Sequence, residues 1–261
     1  MRMLSAGVMI GIGAVEIWLG GPTFAALVIL LTAGMVWEVA RMTAPLRREN
    51  AIALGLIAGA ALLLALISQV ELAAAFLMAP ALAVALTPRR DRRLAAGWTV
   101  AVMVAGYGLV SLRETGGTEA LLWLILVVVM SDVMGYFVGR IVGGPKFWPS
   151  LSPKKTWSGT IAGWIGGAAV GAGFVMLGHA SWWLILLSPL VALAGQMGDI
   201  AESWLKRRAD VKDSSRLIPG HGGLLDRFDA LTGSAVAVMA LGLFLNLPLP
   251  QPMPFDTATG P

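Results

Sequence analysis

Cysteine is absent from this chain of 261 residues, and histidine occurs only twice. The first absence excludes disulfides and thiol chemistry, and leaves the redox compartment unreadable. The two histidines, His179 and His221, fall on opposite sides of the topology derived below. With no cysteine to help, neither has the partners that a zinc ion needs. Charge is scarce as well: 13% of residues are Asp, Glu, Lys or Arg, against about 25% in soluble domains. No G-x-x-x-x-G-K-[ST] phosphate loop and no Ser-His-Asp arrangement is present. What remains is apolar, with 57% hydrophobic residues and a mean hydropathy of +0.78.

Runs of ~20 apolar residues have the length that crosses a hydrocarbon core as a helix. Nine candidate spans lie at roughly 4–20, 22–40, 51–70, 72–87, 94–112, 119–139, 159–178, 181–200 and 232–247. The fourth is short and holds Pro80. The chain therefore reads as an all-α, polytopic membrane protein. Arg2 ahead of an apolar run resembles a signal peptide, but no small-x-small cleavage site follows, so the first span is expected to be retained. Threading nine spans puts 18 of the 19 Lys and Arg on one side, and only Arg113 on the other. Cations are retained in cytoplasmic loops, so the N-terminus is expected inside and the Pro-rich tail outside. That places the protein in the cell's inner membrane with its charged loops in the cytoplasm. The net charge of +4 then faces anionic headgroups rather than a nucleic acid.

The chain divides into N-terminal helices over 1–118 and a C-terminal set with long cytoplasmic loops over 119–261, forming one integral-membrane unit. Gly159, Gly163, Gly167 and Gly171 recur every four residues, sharing one helix face that permits close packing. Packing within the monomer is the expected use, and a homodimer face the alternative. Trp148, Trp157, Trp182, Trp183 and Trp204 sit at span ends as interfacial anchors do.

Residues 203–229 hold six of the 19 cations, four of the 15 acids and one histidine. Cations, carboxylates and glycines in fixed order suit a polyphosphate and its metal ion. Gly220, Gly222 and Gly223 permit close backbone approach and can form an anion-binding nest, with a turn at Pro219-Gly220. Asp226 and Asp229 share a helix face. Carboxylates so placed suit Mg²⁺, which takes one or two of them and leaves room for phosphate oxygens. Glu16, Glu38, Asp132 and Asp199 fall in or at the ends of spans, where an unpaired charge is costly and a function is expected. Asp132 lies roughly 12 Å along its helix from Arg140, at ~1.5 Å per residue. Glu38 is readable as the partner of Arg41, and Glu16 has no assigned role.

The order Ser203-x-Leu205-Lys206-Arg207, four residues, Lys212-Asp213-x-Ser215, then Pro219-x-His221-Gly222-Gly223-x-x-Asp226-Arg227-x-Asp229 resembles the signature of phosphatidate cytidylyltransferases, the CDP-diacylglycerol synthases. Asp132 to Arg140, Ser152-Pro153-Lys154-Lys155-Thr156 with Gly159, and Trp37-Glu38 are similar to further family motifs. The distinctive stretch runs from about residue 130 to 230. Ser215 stands where many members have Gly, Ser158 where Glu or Gln is common, and Ala230 where Ser is common.

The resemblance implies that CTP and phosphatidic acid in the bilayer give CDP-diacylglycerol and pyrophosphate with Mg²⁺, leaving room for a monovalent cation such as K⁺. It makes Asp199 and Asp226 the metal ligands, and Asp199, Asp226, Lys212, Asp213 and Asp229 the catalytic set. It assigns Ser152, Lys154, Lys155, Thr156, Lys206, Arg207, His221, Gly222, Gly223 and Arg227 to substrate binding. A CDP-alcohol phosphatidyltransferase lacks support, since its D-G-x-x-A-R…G-x-x-x-D-x-x-x-D pattern is missing. A CTP-dependent transferase acting on an isoprenoid or ether lipid, or an ion-coupled transporter, remain as alternatives.

Overall fold

A computed structural model describes residues 2–44, 48–149, 151–218, 220, 222–247 and 249–251. Eight helices follow in order: α1 Arg2–Leu19, α2 Gly21–Thr43, α3 Arg48–Ile67, α4 Val70–Leu86, α5 Arg92–Ile141, α6 Trp157–Met176, α7 Trp183–Arg208 and α8 Leu225–Gly242. Each of the nine expected apolar stretches overlaps one of these helices, two of them α5. That helix breaks at Gly117, whose φ of 70° and ψ of −167° suit glycine alone. By length and composition, α2, α3, α5, α6 and α7 can cross a membrane. At ~1.5 Å per residue, the 50 residues of α5 exceed twice the thickness of a hydrocarbon core. The apolar part of α1 and the 17-residue α4 are shorter, and α8 opens with Asp226, Arg227 and Asp229. Bulky apolar side chains such as Ile10, Leu30, Leu56, Ile165 and Leu190 lie exposed on the outer faces of these helices. In a protein of this composition those faces meet lipid.

The 140–158 segment holds more order than a loop. Strands β1 (Lys146–Trp148) and β2 (Ser152–Thr156) form an antiparallel hairpin, pairing Lys146 with Thr156 and Trp148 with Ser152. Thr156 then caps α6, its hydroxyl accepting from Gly159 N at 3.2 Å.

The glycine stripe of α6 packs within the chain. A Cβ at Gly159 would come within 2.5 Å of Gly135 O on α5, and one at Gly171 within 2.7 Å of Leu184 O on α7. Two buried clusters form, and neither follows the chain halves. Leu205 and Leu225 pack with α2 to α5, while Ala105 and Leu112 pack with α7 and α8. Arg113 donates to Ile17 O at 3.1 Å, tying α5 to the end of α1.

Candidate active site

Glycines determine how α7 meets α8. A Cβ at Gly198 would sit 2.5 Å from Asp229 O and 3.0 Å from Gly233 Cα, so the two backbones cross in direct contact. Asp199 follows Gly198 in α7, and Asp229 lies one turn before Gly233 in α8. Their carboxyl groups are consequently brought within interaction range of each other. Lys155, from the end of β2, forms an ion pair with Asp199 and reaches Gln196 O at 3.4 Å. Asp132 of α5 lies within electrostatic reach of both Lys155 and Asp199. Strand alternation explains why Lys155 turns inward while its neighbour Lys154 is exposed.

A second cluster sits beside the first. Lys206 Nζ bridges Glu202 at 2.5 Å, one helical turn back, and Asp226 at 2.6 Å. The other oxygen of Asp226 accepts from Ser214 N at 2.9 Å, Ser214 Oγ at 2.8 Å and Gly223 N at 2.8 Å. Burial pushes the Asp226 carboxyl up, but the Lys206 ammonium and these N–H groups outweigh it and hold it below the usual carboxylate range. Glu202 is fully buried and is paired with Lys206, which it shares with Asp226.

The loop between α7 and α8 is fastened from a distant part of the chain. Glu38, near the end of α2, is fully buried. It accepts from Ser215 Oγ at 2.6 Å, Leu225 N at 2.7 Å, Leu224 N at 2.9 Å and Ser214 Oγ at 3.0 Å. The expected Glu38–Arg41 pair is thus replaced, and Arg41 instead lies over the Trp37 ring, 5.1 Å from its centroid. The reason is geometric: Glu38 satisfies two free N–H groups at the start of α8, which Arg41 could not do. Gly222 has φ +85° and bridges Ile218, whose N–H donates to Gly222 O at 2.9 Å. His221 and Pro219 lie outside the described residues.

The expected site residues therefore separate by role. Asp199, Asp229 and Lys155 converge, as do Asp226, Lys206 and the Gly222-Gly223 turn. Lys212 and Asp213 are exposed on the loop, and Arg207 reaches Val211 O at 3.5 Å. Arg227 is also exposed. Ser152 pairs across the hairpin, and the Thr156 hydroxyl is committed to capping. Ser158 donates to Gly143 O, bracing the hairpin base. Asp199 and Asp226, expected as joint metal ligands, have different partners here. The acid set beside Asp199 is Asp229.

That pair fits a hard cation. Two carboxyl groups set this close either share a proton, which leaves one negative charge, or stay charged around a cation. Hard divalent ions take one or two protein carboxylates and leave positions for other oxygens, and Lys155 adds positive charge beside this pair. Among the described residues, no group of three or more acidic or histidine side chains is placed to hold an ion.

The model of the cytidylyltransferase family matches residues 1–245, which includes every residue of this site. The chain belongs to that family. It is accordingly a nucleotidyltransferase, which answers the transporter alternative. It is 35% identical over 239 residues to the phosphatidate cytidylyltransferase of Brucella abortus biovar 1 (strain 9-941), covering 86% of each chain. It is 40% identical over 136 residues to that of Staphylococcus saprophyticus, covering 50% of this chain and 52% of the relative. The Helicobacter pylori enzyme of the same name is 38% identical over 141 residues, covering 53% and 52%.

Three features escaped the sequence reading. Glu38 as loop anchor depends on contacts across more than 170 positions. The Glu202–Lys206 pair had a signal in its i,i+4 spacing. Gln196 takes Trp164 Nε1 at 3.1 Å and donates to Ser131 Oγ at 3.1 Å, bracing the α7 turn that carries Asp199. A glutamine inside an apolar span was its only trace in the sequence.

Proposed function

We propose that this protein joins CTP to phosphatidic acid, releasing pyrophosphate and forming CDP-diacylglycerol. A phosphate oxygen of the lipid attacks the α-phosphorus of CTP, and the bond to the β-phosphate bridging oxygen breaks as pyrophosphate leaves. The attacking oxygen is already ionised near neutral pH, so no strong base is required. What the site must do is bring two anions together and neutralise charge at the leaving group. The observation carrying this reading is the meeting of Asp199, Asp229 and Lys155 beside the clamped, cation-rich loop.

Asp199 and Asp226 are the carboxylates on which Mg²⁺ would depend, with Asp229 beside Asp199. Bound there, the ion would withdraw charge from the triphosphate. Lys206 keeps Asp226 oriented, while Lys155 supplies positive charge at Asp199. Lys154, Lys212, Arg207 and Arg227 provide the rim that meets the phosphates. Gly222 and Gly223 let the backbone approach them, as the sequence order of this motif suggests. The concentration of cations in the loops supports an inner-membrane protein whose site faces the cytoplasm.

Pyrophosphate release by the purified protein tests the reading. It should require CTP, phosphatidic acid and Mg²⁺ together, and stop when any one is omitted. Release that persists without phosphatidic acid, or that requires an ether or isoprenoid phosphate instead, would overturn the lipid assignment.

A further inference from the structure

No Asp or Glu lies between Asp132 and Asp199, yet this stretch carries Arg140, Lys146, Lys154 and Lys155. Lys155 pairs with Asp199. Among the described residues, Arg140, Lys146 and Lys154 are exposed and have no carboxylate partner. Arg140 reaches only the Tyr136 hydroxyl, at 2.9 Å. Bulky apolar side chains share the segment: Ile141 is 80% exposed, Val142 67% and Trp148 44%. The hairpin that carries these groups is nonetheless firmly built. Trp157 N donates to Pro145 O at 3.0 Å, and the Phe147 and Trp157 rings meet edge to face with centroids 4.7 Å apart.

The place of the hairpin along the membrane normal follows from α6. Its 20 residues rise ~30 Å, the thickness of a hydrocarbon core. Trp157 at its first position therefore sits at one boundary, with the hairpin directly outside it. At that level aromatic rings settle among headgroups, and anionic lipids attract exposed Lys and Arg. We propose that the hairpin is a docking surface for anionic phospholipid of the leaflet it borders, with Trp148 among the headgroups and Arg140, Lys146 and Lys154 on the phosphates. A zwitterionic lipid offers these cations no net charge. A soluble acidic partner would match the cations but not Ile141 and Val142, which stand at the hydrocarbon boundary. The inference goes beyond the reaction proposed above and does not depend on which lipid that reaction consumes. Its consequence is local: β2 carries Lys155, paired with Asp199, so phosphates gathered on the hairpin lie next to the acidic site.

The absence of cysteine allows a single labelling site in the full chain. A nitroxide on Pro149→Cys, exposed between the two strands, is compared with one on Lys212→Cys in the exposed loop before α8. Both proteins are reconstituted in vesicles of phosphatidylcholine with a minor share of phosphatidylglycerol. The label at Pro149→Cys should be several times less accessible to a water-soluble nickel relaxant than the label at Lys212→Cys. Equal accessibility would put the hairpin in water and overturn the proposal.

A bimane on the same Pro149→Cys then identifies the lipid. Phosphatidylglycerol with a nitroxide high on one acyl chain should be enriched at the label about fivefold over phosphatidylcholine with the same nitroxide, roughly the gain from one cation at an anionic surface. Adding Arg140→Gln and Lys146→Gln should bring the two lipids within about twofold of each other. Salt at about 1 M, which limits electrostatic reach to ~3 Å, should do the same with both cations in place. The salt arm keeps the test intact if the charge variant fails to fold. Equal quenching with the cations present, or selectivity that survives both salt and substitution, would overturn the proposal. So would dipolar coupling between nitroxides on two copies, which would give the surface to a second protomer. Neither label reads turnover, so the outcome is independent of the reaction proposed above.

Discussion

Glu38 meets four donors with two oxygens, and all four lie in or next to the loop that carries Lys212 and Asp213. Glu38→Gln keeps the shape but turns one acceptor into a donor facing other donors. Each buried group left unpaired costs ~1–3 kcal/mol, so the loop should loosen. Limited proteolysis between residues 209 and 224 should accelerate in this variant while the helices stay protected. A cleavage pattern identical to wild type would deny Glu38 its anchoring role. The acids of the site make a sharper case. Asp199→Asn and Asp226→Asn should each lower the rate by at least ~10²-fold, comparable to losing a strong electrostatic stabiliser. Acting on one ion, they should be strongly non-additive. Near-wild-type activity for Asp226→Asn at limiting Mg²⁺ would confine that residue to its hydrogen bonds with Ser214 and Gly223. A large loss for Asp229→Asn in the same titration would then make Asp229 the second ligand.

Between elements, the contact of α7 with α8 determines whether those acids meet. Gly198 and Gly233 allow backbones to touch where any side chain would force them apart. Gly198→Ala should destabilise the bundle by ~1–3 kcal/mol, the usual cost of overpacking. It should also lower kcat far more than it lowers the level of folded protein in the membrane, because it separates Asp199 from Asp229. A variant that loses stability yet keeps kcat would show that the crossing serves packing alone. The glycine face of α6 was legible as a close-packing stripe from its four-residue period. Its partners were not, since a stripe carries no information about which helix covers it. The hairpin β1–β2 was not legible either, as its short strands carry no extended alternation.

For the molecule as a whole, the cations concentrated in one set of loops predict the orientation. Reporter fusions at Arg90, Lys154 and Lys212 should report the cytoplasm, and one after Pro250 the opposite side. A cytoplasmic signal from the last fusion would break the nine-span threading. The same ends of the helices gather two exposed ion pairs, Arg90 with Asp210 and Arg208 with Asp91. Such exposed, salt-screened pairs contribute little, so the register of these loops depends on Glu38 and the buried Lys206 network instead.

Apolar run length, cation placement and the ordered motif over 203–229 were enough, in the linear chain, to reveal a helical membrane protein and the family to which it belongs. These are local properties: a span needs only its own residues to satisfy its backbone, and a motif only its own spacing. Which carboxyls touch is a different matter. Asp199 and Asp226 stood out as a pair because both lie in conspicuous motifs, yet contact depends on where two helices cross and on which donors surround each acid. The crossing at Gly198 and Gly233 brought Asp229 to Asp199, and the N–H groups at the start of α8 drew in Glu38 from far along the chain. Tertiary structure decided both, because close packing and the need to satisfy buried polar groups act between segments that sequence spacing does not relate.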